Sequence, residues 1–240
     1  MLGDALKDMA PRRDAIVVAD QGLRPHGFEP ERARPVAQAI MAAIDDSLRR
    51  LGDGLRRSLP DPSLGPSTRR SRKRIEALHD VVKAGKARYI GASSMHAWQF
   101  AKTPLHAREA QRMDADSSRM QNHYNLVYRE EEREMLPLCR DQGIGVIPWS
   151  PLARGFVTGN RRRQDKARDH RAKSDEFASM MCYNDADFTV VDRVTEIAKK
   201  RGVSNAQVAL AWMLQVPGIT APIVGASRWL ISTMPSPPPN

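Results

Sequence analysis

The sequence predicts an α/β fold assembled from repeating helix–strand units, and three neighbouring segments carry that prediction. Gly145-Val146-Ile147 is a short apolar run bounded by turn formers, as expected of a buried strand. The segment before it, Arg129 to Arg140, places Met135, Leu136 and Cys139 on one face at helical spacing, with Glu and Arg on the other. The segment after it, Pro148-Trp149-Ser150-Pro151, opens a polar loop punctuated by Gly155 and Gly159. A helix feeding a parallel-type strand is half of a β/α unit, and such folds bind ligands at the C-terminal ends of their strands. There Trp149 offers a flat face, Ser150 a hydroxyl, and the following backbone its N–H groups.

The run GVIPWSPLARGFVTG (residues 145–159) resembles the cofactor loop of the aldo-keto reductases, and the match continues upstream through MQNHYNLVYREEEREMLPLCRDQG (residues 120–143). IEALHDVVKAGKARYIGASSM, from Ile75 to Met95, resembles that family's helix and fifth barrel strand. VSNAQVALAWMLQVPGITAPIVGAS, from Val203 to Ser227, resembles its last helix and eighth strand. With Met1 to Ala19 and Ile40 to Gly52, the resemblance covers well over half of the chain. It implies a (β/α)8 TIM-type barrel that binds NADP(H) in extended form, carries a catalytic Asp, Tyr, Lys and His, and reduces a small-molecule aldehyde or ketone.

Taken in order, the elements fall short of that plan. Barrels of this type usually need about 250 residues or more, and the chain has 240. Met1-Leu2-Gly3 resembles the helix after the second strand, which puts the first two strands, and the loops bearing the family's Asp and Tyr, before the first residue. Ala15-Ile16-Val17-Val18-Ala19 reads as the third strand, but Asp20-Gln21-Gly22 stands where the family continues with Thr-Lys-Val, so the catalytic lysine is missing. The fourth strand, a run such as DYVDLYQIHRWD ending in the catalytic histidine, should follow Leu51-Gly52. The chain instead reads DGLRRSLPDPSLGPSTRRSRKR, whose prolines remove ladder donors. The expectation is a single incomplete barrel domain over residues 1–240, lacking the first, second and fourth strands, with residues 20–39, 53–74, 103–119 and 229–240 aberrant. Irregular chain is expected through 20–39 and 53–74.

The aberrant segments share one explanation. Gly54 to Pro66 admits codons whose reading from the second base is DYVDLYQIHRWD. Asp20 to Ala39 likewise admits TKVSAPMGSSPNARGLSRK, Gln111 to Ala115 NGWTR, Arg70 to Arg74 PIEET, and the chain from Trp229 onward AHLDDAVA. The written residues fix the first and third letters of most shifted codons, and each hidden string fits the family's pattern at its own place. The expectation is a reading frame that slips several times relative to an ancestral reductase gene.

The formal charge of +10 and pI near 10.0 would ordinarily suggest a polyanionic partner. The charge is localised, however. Gly54 to Arg74 carries seven basic residues against Asp61, and Arg161 to Lys173 carries seven against two acids, so the remainder is close to neutral. The first segment is the frame-shifted one, and nucleic acid is not expected as a partner. The second falls in the loop after the seventh strand, which in similar reductases passes near the cofactor; phosphate contact competes there with a solvated charged loop. Two cysteines, Cys139 and Cys182, suggest neither a disulfide framework nor a zinc site, and Cys139 reads as core. No apolar run approaches the roughly 20 residues of a membrane span, and no signal pattern opens the chain. A cytoplasmic setting is expected, and the oligomeric state is left open.

The resemblance assigns the cofactor residues one by one. Ser93 and Ser94 end the fifth strand where many relatives have Ser-Asn gripping the nicotinamide carboxamide, Ser94 replacing the amide. Gln121 ends the sixth strand as a second carboxamide partner, suited because an amide both donates and accepts. Trp149 would pack against the nicotinamide. Ser150, Leu152, Arg154 and Gly155 match the pyrophosphate loop. Gly225, Ser227 and Arg228 match the adenosine-phosphate site, where a cation would favour NADP over NAD. No histidine is flanked by a matching Lys and Tyr, and Tyr124 and Tyr128 resemble ordinary family positions. Without a general acid, bound NADPH has no efficient route to reduce a carbonyl. The expected reading is an aldo-keto reductase-family protein that is catalytically inactive. The alternatives are a non-catalytic NADP(H)-binding barrel similar to channel β subunits and a non-functional pseudogene product.

Overall fold

The computed structural model describes residues 18–19, 36–52, 59–61, 68–101, 119–159 and 184–225, which divide between two compact units. The first unit takes in residues 1–121 and 141–145, the second residues 122–140 and 146–240.

In the first unit, α1 (Val36–Leu51) buries Ile40, Ile44, Ser47 and Leu51, a spacing of three and four that places them on one stripe. Gly52 ends it in the left-handed region at φ 61°, with its N–H on the Arg49 carbonyl. β1 (Leu59–Asp61) follows, then α2 (Thr68–Lys83), which buries Ala77, Leu78 and Val81. Lys86 Nζ reaches Asp45 of α1 at 2.5 Å, tying the turn after α2 to the neighbouring helix. β2 (Ile90–Ser93), the short α3 (Ala97–Ala101) with Phe100 fully buried, and β3 (Arg119–Gln121) complete the unit. The three strands run parallel in the order β1-β2-β3, Leu59 opposite Ile90 and Gly91 opposite Arg119. The architecture is therefore α/β with parallel strands, as the sequence predicts.

Several expectations need correction. Residues 53–74 are not irregular throughout: β1 pairs beside β2 at the place of the strand read as missing, and α2 already starts at Thr68. In a parallel pair only alternate residues bond a given neighbour, so a three-residue lateral strand survives Pro60 at its centre. Similarly, α1 begins at Val36 inside the 20–39 segment. Of the third-strand reading, only Val18, which is buried, and Ala19 lie within the described residues.

The second unit begins at Asn122. A 3-10 turn (Glu130–Glu132) and α4 (Met135–Asp141) replace the continuous helix expected over 129–140. Pro137 accounts for the break, since proline is accepted in a first helical turn and would clash with a carbonyl four residues earlier if the helix continued. Met135, Leu136 and Cys139 are buried as expected. β4 (Gly145–Val146) carries the chain onward. Val146 exchanges backbone bonds with Gly218 and Thr220, and the Ile223 N–H reaches the Pro148 carbonyl at 2.8 Å, so residues 218–223 follow β4 in parallel. A kinked 3-10 segment (Ala153–Thr158) then leads to α5 (Asp185–Arg201) and α6 (Asn205–Leu214).

Both long helices start with reciprocal caps. Asn184 and Asp187 bond each other's backbone N–H groups at α5, and Ser204 and Gln207 do so at α6. Gly202 closes α5 in the left-handed region. Ala153, Phe156, Val157, Val191, Val194 and Ala209 form one apolar cluster, in which Phe188 meets Phe156 edge-on at 5.1 Å. The cluster anchors the loop that follows β4.

Gly91 fixes the spacing of β2 and β3, because a Cβ there would lie 2.7 Å from the Arg119 carbonyl oxygen. Gly91→Ala is expected to lower unfolding stability by about 2 kcal/mol, read as a reduced urea midpoint at unchanged slope.

Candidate functional site

The site is built outward from the end of β4. Pro148 is buried and Trp149 half-buried, and the Trp149 N–H donates to the Asn122 carbonyl at 2.9 Å. This bridge sets Trp149 beside His123, and their rings stack at 4.2 Å between centroids. Tyr128 stacks on the same imidazole at 4.4 Å. The result is a three-ring group in which His123 is only 6% exposed.

Asn125, wholly buried, organises that group. Its Oδ1 accepts from the N–H groups of Val127 and Tyr128, at 3.0 and 2.9 Å, closing the turn that brings Tyr128 back onto His123. Its Nδ2 donates to the Ser150 carbonyl at 3.1 Å and lies 3.0 Å from His123 Nε2. One carboxamide thus ties the end of the Asn122–Asn125 segment to the start of the loop after β4.

That loop is strained. Ser150, Ala153 and Arg154 have φ of 53°, 47° and 55°, in the left-handed region that residues with a Cβ avoid at a cost of about 1 kcal/mol or more each. Gly155 follows at φ 91°. Nothing would contact a Cβ at Gly155, so glycine is required there for its dihedral angle rather than for space. The N–H groups of Ala153 and Gly155 bond the Ser150 and Leu152 carbonyls at 2.9 Å, which holds the coil closed. Leu152 packs against the apolar cluster, whereas Arg154 is exposed at the outer side of the loop. The N–H groups of Ala153 and Gly155 are committed within the coil.

The residues singled out from sequence fall into two groups. Trp149, Ser150, Leu152, Arg154 and Gly155 share this loop in the second unit. Ser93, Ser94 and Gln121 come together in the first: the Ser93 hydroxyl donates to the Gln121 carbonyl at 2.8 Å, and the Ser94 N–H donates to the same oxygen at 3.1 Å. With its proton committed, Ser93 Oγ is left as an acceptor. Gly225 is exposed, while Ser227, Arg228 and the basic stretch 161–173 lie outside the described residues.

The sequence reading, which sets every histidine aside for want of a matching Lys and Tyr, gives His123 and Asn125 no role. The signal was present, since residues 121, 123 and 125 share one side of an extended chain. Tyr124, on the other side, donates to Glu132 and has its phenol pKa raised, first by burial and then by Glu132. Tyr128 is also raised by burial. Both shifts oppose a role as general acid. Cys139 is wholly buried and its thiol is pushed up to about 12, chiefly by burial. Among the described residues no group of His, Cys, Asp and Glu could hold a metal ion, and no helix is long and apolar enough to cross a membrane.

A cleft of about 460 Å³ lies between α4 and α6, lined by Arg129, Glu132, Arg140 and Trp212. Its cations are already engaged: Arg129 forks onto Glu132 and covers the Trp212 ring, and Arg140 bonds the Pro217 carbonyl.

The family model described as "Aldo/keto reductase family" matches residues 1–229. The chain belongs to the aldo/keto reductase family. Curated relatives agree. A versiconal hemiacetal acetate reductase of Aspergillus parasiticus is 41% identical over 186 residues, covering 78% of this chain and 53% of that protein. An aldo-keto reductase of Fusarium vanettenii is 42% identical over 196 residues, covering 79% and 50%. The aldo-keto reductase dtxS3 of Metarhizium robertsii is 42% identical over 195 residues, covering 78% and 49%. The chain thus spans about half the length of these curated relatives.

Burial, and secondarily Arg154, lowers the His123 pKa from 6.5 to about 4. Between those values the unfolded chain binds the proton that the folded chain refuses, so stability rises with pH there. This contribution is complete above pH 6.5 and is lost as pH falls to 4. Urea unfolding at pH 7.0 and 4.5 is expected to show the wild type losing about 2 kcal/mol more than His123→Phe; equal losses would contradict the assignment.

Proposed function

We propose that this chain is an aldo/keto reductase-family barrel that binds NADP(H) at the Trp149 loop and does not turn over carbonyl substrates. The observation that carries the binding reading is the loop itself: three left-handed non-glycine residues and Gly155, held by Asn125 and an apolar anchor, directly after a parallel strand. Such strain persists where a site demands a fixed backbone. Ser150, Leu152, Arg154 and Gly155 would hold the pyrophosphate, and Gly225, Ser227 and Arg228 the adenosine phosphate. Trp149 would hold the nicotinamide ring. Ser93 and Gln121 are the positions that match the family's carboxamide partners. The dinucleotide is a hydride source in chemical terms, and the chain's part would be to grip and orient it without completing a carbonyl reduction.

The inactivity reading rests on two internal positions. Asp20-Gln21-Gly22 stands where the family places its lysine motif, and Gly54 to Pro66 where it places the strand ending in histidine. Slipped reading frames account for both. Resequencing the locus tests this directly, since a gene that confirms the written frame with no slips relative to its relatives would remove the explanation.

Titration of NADPH, followed by quenching of tryptophan emission, is expected to saturate; a linear, non-saturating response would refute the binding reading. NADPH oxidation with methylglyoxal or nitrobenzaldehyde is expected to stay at the blank, and turnover above it would refute the inactivity.

A further inference from the structure

The hydrogen bonds around Asn125 decide the tautomer of His123. Two backbone N–H groups donate to Asn125 Oδ1, which fixes the carboxamide orientation and leaves Nδ2 as the donor. Its two hydrogens serve two acceptors, the Ser150 carbonyl and His123 Nε2. His123 Nε2 therefore carries the lone pair, and the imidazole proton sits on Nδ1. That Nδ1–H is wholly buried and has no hydrogen-bond partner. A buried donor without an acceptor is costly, and native folds rarely leave one unmet. Stacking against Tyr128 and Trp149 fixes the ring plane, so the donor has one direction.

We propose that His123 is a ligand-binding residue, its Nδ1–H donating to the carbonyl oxygen of a planar ring bound at the Trp149 loop. The imidazole already covers the indole face turned toward it, so an acceptor has to approach Nδ1 in the imidazole plane, and a donor there selects an oxygen acceptor over a cationic group. A carboxamide on a nicotinamide ring and an aryl aldehyde share this chemistry. Asn125 gives the contact a second effect, because the carboxamide that sets the His123 tautomer also holds the strained Ser150 carbonyl. The inference rests on the dinucleotide reading above and adds to it a residue outside the loop.

The test is side-chain proton–nitrogen NMR on the full chain labelled with ¹⁵N-histidine, titrated separately with NADP+ and with 4-nitrobenzaldehyde. The free protein is expected to show His123 as the Nδ1–H tautomer, and saturating NADP+ to shift that proton. A shift with the aldehyde alone would keep the planar carbonyl contact and reassign its source to a substrate. An Nε2–H tautomer, or an Nδ1–H resonance unmoved by either compound at saturation, would overturn the proposal. Absence of saturable binding would instead overturn the dinucleotide reading beneath it. His123→Phe, which preserves the stack, is expected to weaken NADP+ binding about tenfold; unchanged affinity in a folded variant would also overturn it.

Discussion

The carboxamide of Asn125 is the constraint on which the site depends. Its four hydrogen bonds close the turn to Tyr128, orient the His123 imidazole and hold the first left-handed residue of the loop after β4. A buried amide that fails to place all of its hydrogens and lone pairs is a liability, so each of these bonds restricts the others. The geometry also explains why His123 stays neutral. Protonation would convert Nε2 from acceptor to donor and set it against the Asn125 amide, in a place where burial already disfavours charge.

The strain at Ser150, Ala153 and Arg154 is offset from two directions. On one side Asn125 holds the Ser150 carbonyl. On the other, Ala153, Phe156 and Val157 are packed against Val191, Val194 and Ala209 from the two capped helices. The caps of α5 and α6 matter for this reason as much as for helix stability: they fix where the apolar faces start, and therefore where the loop is pinned. Family membership rests on residues 1–229, and the geometry described here on the loop after β4 and the residues that hold it. One is a likeness of sequence, and the other follows from dihedral angles and hydrogen bonds.

What could be read in the sequence was whatever local chemistry dictates. The apolar run at Gly145 and the buried face of Met135, Leu136 and Cys139 follow from spacing and turn formers, whereas the strand that ends at Ser93 was legible only through the family resemblance. The caps, in retrospect, also follow from spacing, since Asn184 with Asp187 and Ser204 with Gln207 are plain three-residue spacings. The reading failed where tertiary pairing overrode propensity. The Leu59-Pro60-Asp61 segment is poor strand material, yet β2 offers it a parallel edge. Pro137 split a helix that periodicity alone would have run through. The three-ring stack was hidden for a different reason, because it joins residues 123, 128 and 149 through a bridge that no local pattern announces.

Cys139 lends the second unit a property of another kind. Its sulfur is sealed beneath α4, and its thiolate is suppressed far above neutral pH. Alkylating and oxidising reagents act on the thiolate, so in the closed fold this sulfur is chemically silent. Reaction of Cys139 therefore requires an opening that exposes it. Its trapping rate, resolved from that of Cys182, would then time the opening of the scaffold that carries the turn to Tyr128.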